Sequence, residues 1–194
     1  MSICKTMNIL DMIDIVGEDT VKEILSGYSC PKNAEIENFI KKNAIDFAKK
    51  KMSITHIVMD DDGRLIAIIT LAHKALNLEA TSLSSTAKKR LSRYANLDPA
   101  TGCYMVSAFL IAQFGKNYAD ADADPVDGNS IMDTALDILS SVQRDVGGGV
   151  VYLECEDKPQ LLSFYQNENN NFRVYGERYS DVDNTKYKQL LRFF

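Results

Sequence analysis

The stretch CYMVSAFLIAQFGKNYADADADPVDGNSIMDTAL, residues 103–136, decides how this chain folds. From Cys103 to Phe114 both alternating sets of positions are apolar, the pattern of a strand covered on its two faces, so the run predicts a central strand. It is shorter than the roughly 20 apolar residues that cross a bilayer. Downstream, Ile131, Met132, Ala135, Leu136, Ile138, Leu139 and Val142 recur at helical spacing, and three glycines at 147–149 close that helix. The whole is a strand-loop-helix unit. At its junction Gly128 allows close approach of backbone to a ligand. The amides of Asn129, Ser130 and Ile131 stand at the positive end of the helix dipole, where an anion binds. Asp127 and Ser130 are equally good capping residues for the same helix start.

The aspartates within the loop do not make a calcium site. Asp120, Asp122 and Asp124 match the opening of a calcium loop, but Pro125 stands where that loop turns on glycine and Ile131 where it needs a bidentate glutamate. The alternation of Ala and Asp predicts a solvated surface insertion.

Outward from this unit the chain alternates helix and strand. Residues 18–26 predict a short helix stopped by Gly27, and Ile36, Phe39, Ile40, Ala44, Phe47 and Ala48 predict one long helix over about 33–50. The runs SITHIVMD and RLIAIITLA bracket an Asp-Gly turn and predict a β-hairpin. Residues 84–95 are polar and basic and predict a short surface helix, and GVVYLECE predicts a strand. After it come the helix KPQLLSFYQ with Pro159 in its first turn and the two closing strands FRVYGER and YKQLLRFF. The expected class is α/β: one domain over 1–194, a mixed sheet with helices on both faces.

Composition narrows the partners. The chain has 194 residues, 45% hydrophobic and 25% charged, with net charge −5, so it gives no general attraction for nucleic acid or anionic lipid. The N-terminal residues mix Asp and Lys into the apolar positions, unlike an export signal, and the expected location is the cytoplasm. Cys4, Cys30, Cys103 and Cys155 are scattered, and His56 and His73 lack ligand spacing, so no metal is expected.

Four segments, YSCPKNAEIENFIKKNAIDF, THIVMDDDGRLIAIITLA, FLIAQFGKNY and VVYLECEDKPQLLSFYQNENNNF, together resemble the GNAT acetyltransferase superfamily over nearly the whole chain. Tyr28, Cys30, Asn38 and Phe39 resemble the branch that includes bacterial toxins acetylating aminoacyl-tRNA. The resemblance implies a splayed central sheet and acetyl-CoA as cosubstrate. It implies that Gln113, Phe114, Gly115 and Lys116 hold the pantetheine arm, and that Asp127, Gly128, Asn129, Ser130 and Ile131, within PVDGNS, meet the pyrophosphate. The family's loop carries a basic residue and a final glycine where this chain has Pro125 and Ser130; Lys116 or Arg144 is a substitute source of positive charge.

By the same resemblance Tyr165 is the general acid that protonates the departing thiolate. Glu154, at a strand end, is the candidate base, with a solvated carboxylate as the alternative. Seven positions before Tyr165 the family's Asn is Lys158, and its Gly-Phe ending is replaced by the longer NENNNF. The expected acceptor is a primary amine on a small molecule or peptide, with homodimerisation left open. The alternatives are aminoacyl-tRNA, drawn by Lys41, Lys42, Lys49, Lys50, Lys51, Lys88, Lys89, Arg90 and Arg93, and a non-catalytic binding protein of the same fold.

Overall fold

The computed structural model describes residues 5–119, 126–181 and 184–194. The expectations for Asp120, Asp122, Asp124 and Pro125 fall outside these. In chain order the elements are β1 (Lys5–Asn8), α1 (Ile9–Val16), α2 (Glu18–Ser26), α3 (Ala34–Lys42), α4 (Ala44–Lys49), β2 (Ile54–Met59) and β3 (Leu65–Glu79). Then follow α5 (Ser85–Leu91), β4 (Leu97–Asp98), β5 (Cys103–Lys116), α6 (Gly128–Val146), β6 (Val150–Glu156), α7 (Pro159–Gln166), β7 (Arg173–Ser180) and β8 (Thr185–Phe193). Two compact units result, residues 1–72 with 111–135, and 73–110 with 136–194, so β3, β5 and α6 each contribute to both.

In the first unit the strand order is β1-β2-β3-β5, with β1, β2 and β3 antiparallel. The expected hairpin is β2 and β3, turning through Asp60–Gly63 with Gly63 at φ +79° and its amide donating to the Asp60 carbonyl at 3.1 Å. Asp60 also accepts from the amides of Asp62 and Arg64, which fixes the turn. Ile9, Met12, Val21, Leu25, Tyr28, Ile40, Ala44 and Ala48 pack on Ile57 and Ile68 to form one core cluster.

Two features here differ from expectation. The helix expected over 33–50 is two helices, broken at Asn43 (φ −119°). The main-chain bonds Asn43 to Phe39 and Phe47 to Asn43 continue across the break, so the chain bends without fraying. Ala44 and Ala48 reach the core on the bent segment. The second difference is β1 and α1, which were not anticipated. Asn8 caps α1 by accepting from the Leu10 amide at 2.9 Å, and the spacing of Ile9, Met12, Ile13 and Val16 is helical.

In the second unit the order is β3-β5-β6-β8-β7, with β4 on β5. Strands β5 and β6 are parallel, while β8 is antiparallel to both β6 and β7, which makes the sheet mixed as expected. Helix α5 buries Leu91 against Tyr104, Val106, Ala108, Val150 and Leu191 and turns its charges outward. Among the described residues no helix is long and apolar enough to cross a membrane.

Candidate active site

β5 and β6 pair in parallel in the second unit, with Phe109 opposite Val151 and Leu110 opposite Tyr152. The residues expected to hold the pantetheine arm, Gln113, Phe114, Gly115 and Lys116, form the end of β5 in the first unit and are half-buried. An extended ligand can add to a strand through the strand's amides and carbonyls.

Gly115 is glycine for a reason the sequence did not reveal. A Cβ built there would lie 2.5 Å from the Tyr28 hydroxyl and 3.8 Å from Ile36 Cγ2. Tyr28 is fully buried, and among the described residues its hydroxyl is the one buried side-chain nitrogen or oxygen without a hydrogen-bond partner. Desolvation, with a smaller contribution from the adjoining Cys30 thiol, pushes this phenol well above its ordinary range. The neighbouring turn is tied to the end of β5 by Asn117. Its Oδ1 accepts from the Ser29 amide at 2.8 Å, its Nδ2 donates to the Leu65 carbonyl at 2.8 Å, and Tyr118 N donates to the Ser29 carbonyl at 2.9 Å. The Cys30 amide donates to Glu37 Oε2 at 2.7 Å.

Helix α6 begins at Gly128, one residue ahead of the expected start, so the glycine is its first residue. Its start is self-capped: the Ser130 amide donates to the Asp127 carboxylate at a long 3.4 Å, and the Ile131 amide to the Asp127 carbonyl at 3.3 Å. A diphosphate at this end would take over the weak Asp127 cap and gain the dipole of a 19-residue helix. The end of β5 and this helix start both belong to the first unit.

Tyr165 and Glu154 belong to the second unit. Tyr165 lies on α7 with 8% of its surface exposed, its ring edge-on to Phe164 (centroids 5.0 Å) and Phe172 (6.1 Å). Burial, and to a smaller degree Cys155, pushes its hydroxyl well above the ordinary tyrosine range, so it is protonated at neutral pH. Cys155 is itself pushed up to about 11 by burial first and by Asp157 and Glu156 second.

Glu154 is held on both oxygens. Its Oε2 accepts from Arg178 Nε at 2.9 Å and Nη2 at 2.7 Å, and its Oε1 accepts from Gln189 Nε2 at 2.7 Å. Arg178 in turn stacks over the Tyr187 ring at 4.8 Å. These charge-assisted bonds strap β6 to β7 and β8.

The basic residues divide into two groups. In the first unit Lys41 pairs with Glu37, Lys49 with Glu18 and Lys50 with Asp46. In the second unit, among the described residues, no carboxylate side chain pairs with Lys88, Lys89, Arg90 or Arg93. Arg90 instead stacks on the Phe193 ring at 4.4 Å and donates to the Phe194 carbonyl. Tyr94, 43% exposed, stands beside them with its ring against Gly149.

No sequence-family model matches this chain, and no curated protein sequence matches it. Solved structures do. AtaT complexed with acetyl-methionyl-tRNAfMet superposes with TM-score 0.64 at 11% identity, covering 95% of this chain and 94% of that one. A tyrosine-to-phenylalanine mutant of KacT gives 0.64 at 12% identity, covering 97% and 95%. AtaTR bound with AcCoA gives 0.56 at 11%, covering 96% and 92%. At such identities the likeness shows the fold, and that fold is the GNAT-like mixed sheet with helices that the resemblance implied.

Proposed function

We propose that this protein is an acetyl-CoA-dependent N-acetyltransferase whose acceptor is the amine of an aminoacyl-tRNA. The acetyl-transfer part is supported by the α6 start and by the likeness to a structure bound with AcCoA. The acceptor rests on one observation above all, the cations Lys88 and Lys89 of α5 with Arg93 just beyond it, which among the described residues pair with no carboxylate side chain, in a chain of net charge −5. Cations without carboxylate partners can meet several phosphates, whereas Lys41, Lys49 and Lys50 are already neutralised; in the first unit Lys42 and Lys51 alone of the expected cations have no carboxylate pair among the described residues. The likeness to AtaT complexed with acetyl-methionyl-tRNAfMet agrees with this acceptor rather than with the small molecule or peptide that composition favoured.

Acetyl-CoA supplies an acetyl group activated as a thioester. The residues of this chain do the rest. The backbone of Gln113–Lys116 aligns the extended arm, and the amides of Asn129, Ser130 and Ile131 face the diphosphate, with Lys116 adding charge. As the new C–N bond forms and the C–S bond breaks, the Tyr165 hydroxyl gives its proton to the departing sulfur. A phenol pushed above its ordinary range is always loaded but is a reluctant donor, so the tyrosinate must regain a proton from the acylated nitrogen through water. Glu154 keeps its bonds to Arg178 and Gln189 throughout and fixes the strands that carry α7.

The test is transfer from acetyl-labelled CoA in the presence of aminoacyl-tRNA, the same tRNA deacylated, and free amino acid. Label on the α-amine of aminoacyl-tRNA alone is the expected result. Label on the free amine only would return the acceptor to small molecules, and no label with any acceptor would leave a binding protein of this fold.

A further inference from the structure

Helix α7 is eight residues long, and no side chain caps its N-terminus. Its C-terminal end, next to Tyr165, is held from outside, since the last carbonyls of any helix need such partners. Those partners come from the NENNNF segment. Asn170 is completely buried, and its Nδ2 donates to the Phe164 carbonyl at 2.7 Å. Its amide donates to Asn167 Oδ1 at 2.7 Å, and its Oδ1 accepts from Asn169 Nδ2 at 3.2 Å. From β8, Arg192 Nη1 donates to the Asn170 carbonyl at 3.0 Å. The Tyr165 carbonyl accepts from the Phe172 amide at 3.0 Å, which places the fully buried Phe172 ring against the Tyr165 ring.

The turn that makes this possible sits at Asn171, with φ +53°, where its amide donates to the Asn167 carbonyl at 2.9 Å. Asparagine is among the few residues other than glycine that enter this region at small cost. The longer segment without glycine thus still reverses the chain after the helix, and its extra length holds the one buried carboxamide that grips the carbonyl next to Tyr165.

From this geometry we infer that Asn170 is a positioning residue for Tyr165. It ties the end of α7 to Arg192 of β8, whose register partner is Val151 of β6, so the phenol is aimed from the sheet through the carboxamide. The inference rests on the reading of Tyr165 as the proton donor for its catalytic meaning. The physical coupling stands by itself.

Two measurements separate the layers. Protein labelled at tyrosine Cζ gives a carbon resonance for Tyr165, assigned by its loss in Tyr165→Phe, and one for Tyr28, assigned by its loss in Tyr28→Phe. Asn170→Ala, and Asn170→Ser as the milder change, are expected to shift and broaden the Tyr165 resonance and leave that of Tyr28 in place. Should the alanine variant fail to fold, Asn170→Ser and Arg192→Gln loosen the same tie and give the same readout. In acetyl transfer, Asn170→Ala lowers kcat tenfold or more with KM for acetyl-CoA unchanged. In a Tyr165→Phe background the same substitution costs less than twofold, because the group it aims is gone. An unmoved Tyr165 resonance in folded variants overturns the inference, and so does a kcat loss of equal size in both backgrounds. Complete absence of transfer by the wild-type protein would defeat the proposed function instead, and the resonance would still decide the coupling.

Discussion

Tyr28 and Tyr165 are both buried phenols with acidities suppressed by desolvation, yet their surroundings differ. Tyr28 is sealed, and its hydroxyl is pressed toward the bare Cα of Gly115. Tyr165 keeps a sliver of exposure, and the helix end that carries it is held by a hydrogen-bonded segment. Burial alone does not make an acid catalyst. On the proposed function, what distinguishes the two is whether polar groups hold the segment that carries the ring or the ring only fills space.

Four substitutions or titrations sharpen this contrast. The largest expected effect is on kcat in Tyr165→Phe, a loss of about a hundredfold to ten-thousandfold with acetyl-CoA binding retained, measured by steady-state kinetics and calorimetry. Tyr28→Phe leaves kcat near wild type. Comparable losses from both would erase the distinction.

Next in size is Gly115→Ala. The added methyl meets the Tyr28 hydroxyl at 2.5 Å, an overpacking expected to cost about 1–3 kcal/mol in urea unfolding. Combining it with Tyr28→Phe restores most of that loss, since the next ring atom, Cζ, is 3.9 Å away. The single change Tyr28→Phe is neutral or stabilising, because it removes a buried hydroxyl without a partner.

A smaller effect separates the two basic regions. Replacing Lys88, Lys89 and Arg93 with Ala should lower the slope of log affinity against log salt for tRNA by about one for each contact removed. Replacing Lys41, Lys49 and Lys50 should change the slope less, as their charges are already shared with Glu37, Glu18 and Asp46. Gel shifts over a salt series measure both.

The mildest expectation concerns pH. Folded Tyr28, Tyr165 and Tyr175 have pKa values pushed above the ordinary tyrosine value of 10.0, burial being the first cause in each. Their contribution is fully present below pH 10 and is lost as pH rises beyond it. On the acid side Glu18 is drawn down to about 2, first by Lys49 and then Lys22, and Glu177 to about 2, first by Lys186 and then Lys188. Their contribution is present above the ordinary 4.5 and fades as pH falls toward 2. These pairs are exposed, so the acid limb should be shallow and weakened by salt. Thermal melting across pH checks both limbs, and Tyr28→Phe should flatten the alkaline one.

Much of the architecture was legible because periodicity is a strong physical signal. The doubly apolar run from Cys103 became β5, interior in the strand order but covered on one face only over its first half, where Met105 is 69% exposed and Ser107 exposed, and the Asp-Gly turn became the β2–β3 hairpin. The bend at Asn43 was hidden, since the helical stripe of Ile40, Ala44 and Phe47 runs straight through it. Strand β1 was hidden too, because four residues carry too little alternation to register. At the site, Tyr165 could be singled out by its family-like helix. The partners of Glu154, Arg178 and Gln189, lie 24 and 35 residues away, a distance at which sequence spacing says nothing. Likewise the tie between Tyr28 and Gly115 exists only in three dimensions. Asn171 carried the one signal that was available and unused, an asparagine before phenylalanine where a left-handed residue is required.

The double grip on Glu154 bears on which amines can react. If Glu154 keeps both grips and takes no proton in the proposed reaction, the nucleophile has to arrive as the free base, and its own basicity becomes a filter. An α-amino group, with pKa about 7.7–8.0, is neutral in roughly a quarter of molecules near physiological pH, whereas a lysine side chain at about 10.4 is neutral in roughly one of a thousand. Discrimination of some two orders of magnitude in favour of α-amines would then require no recognition of the amine at all.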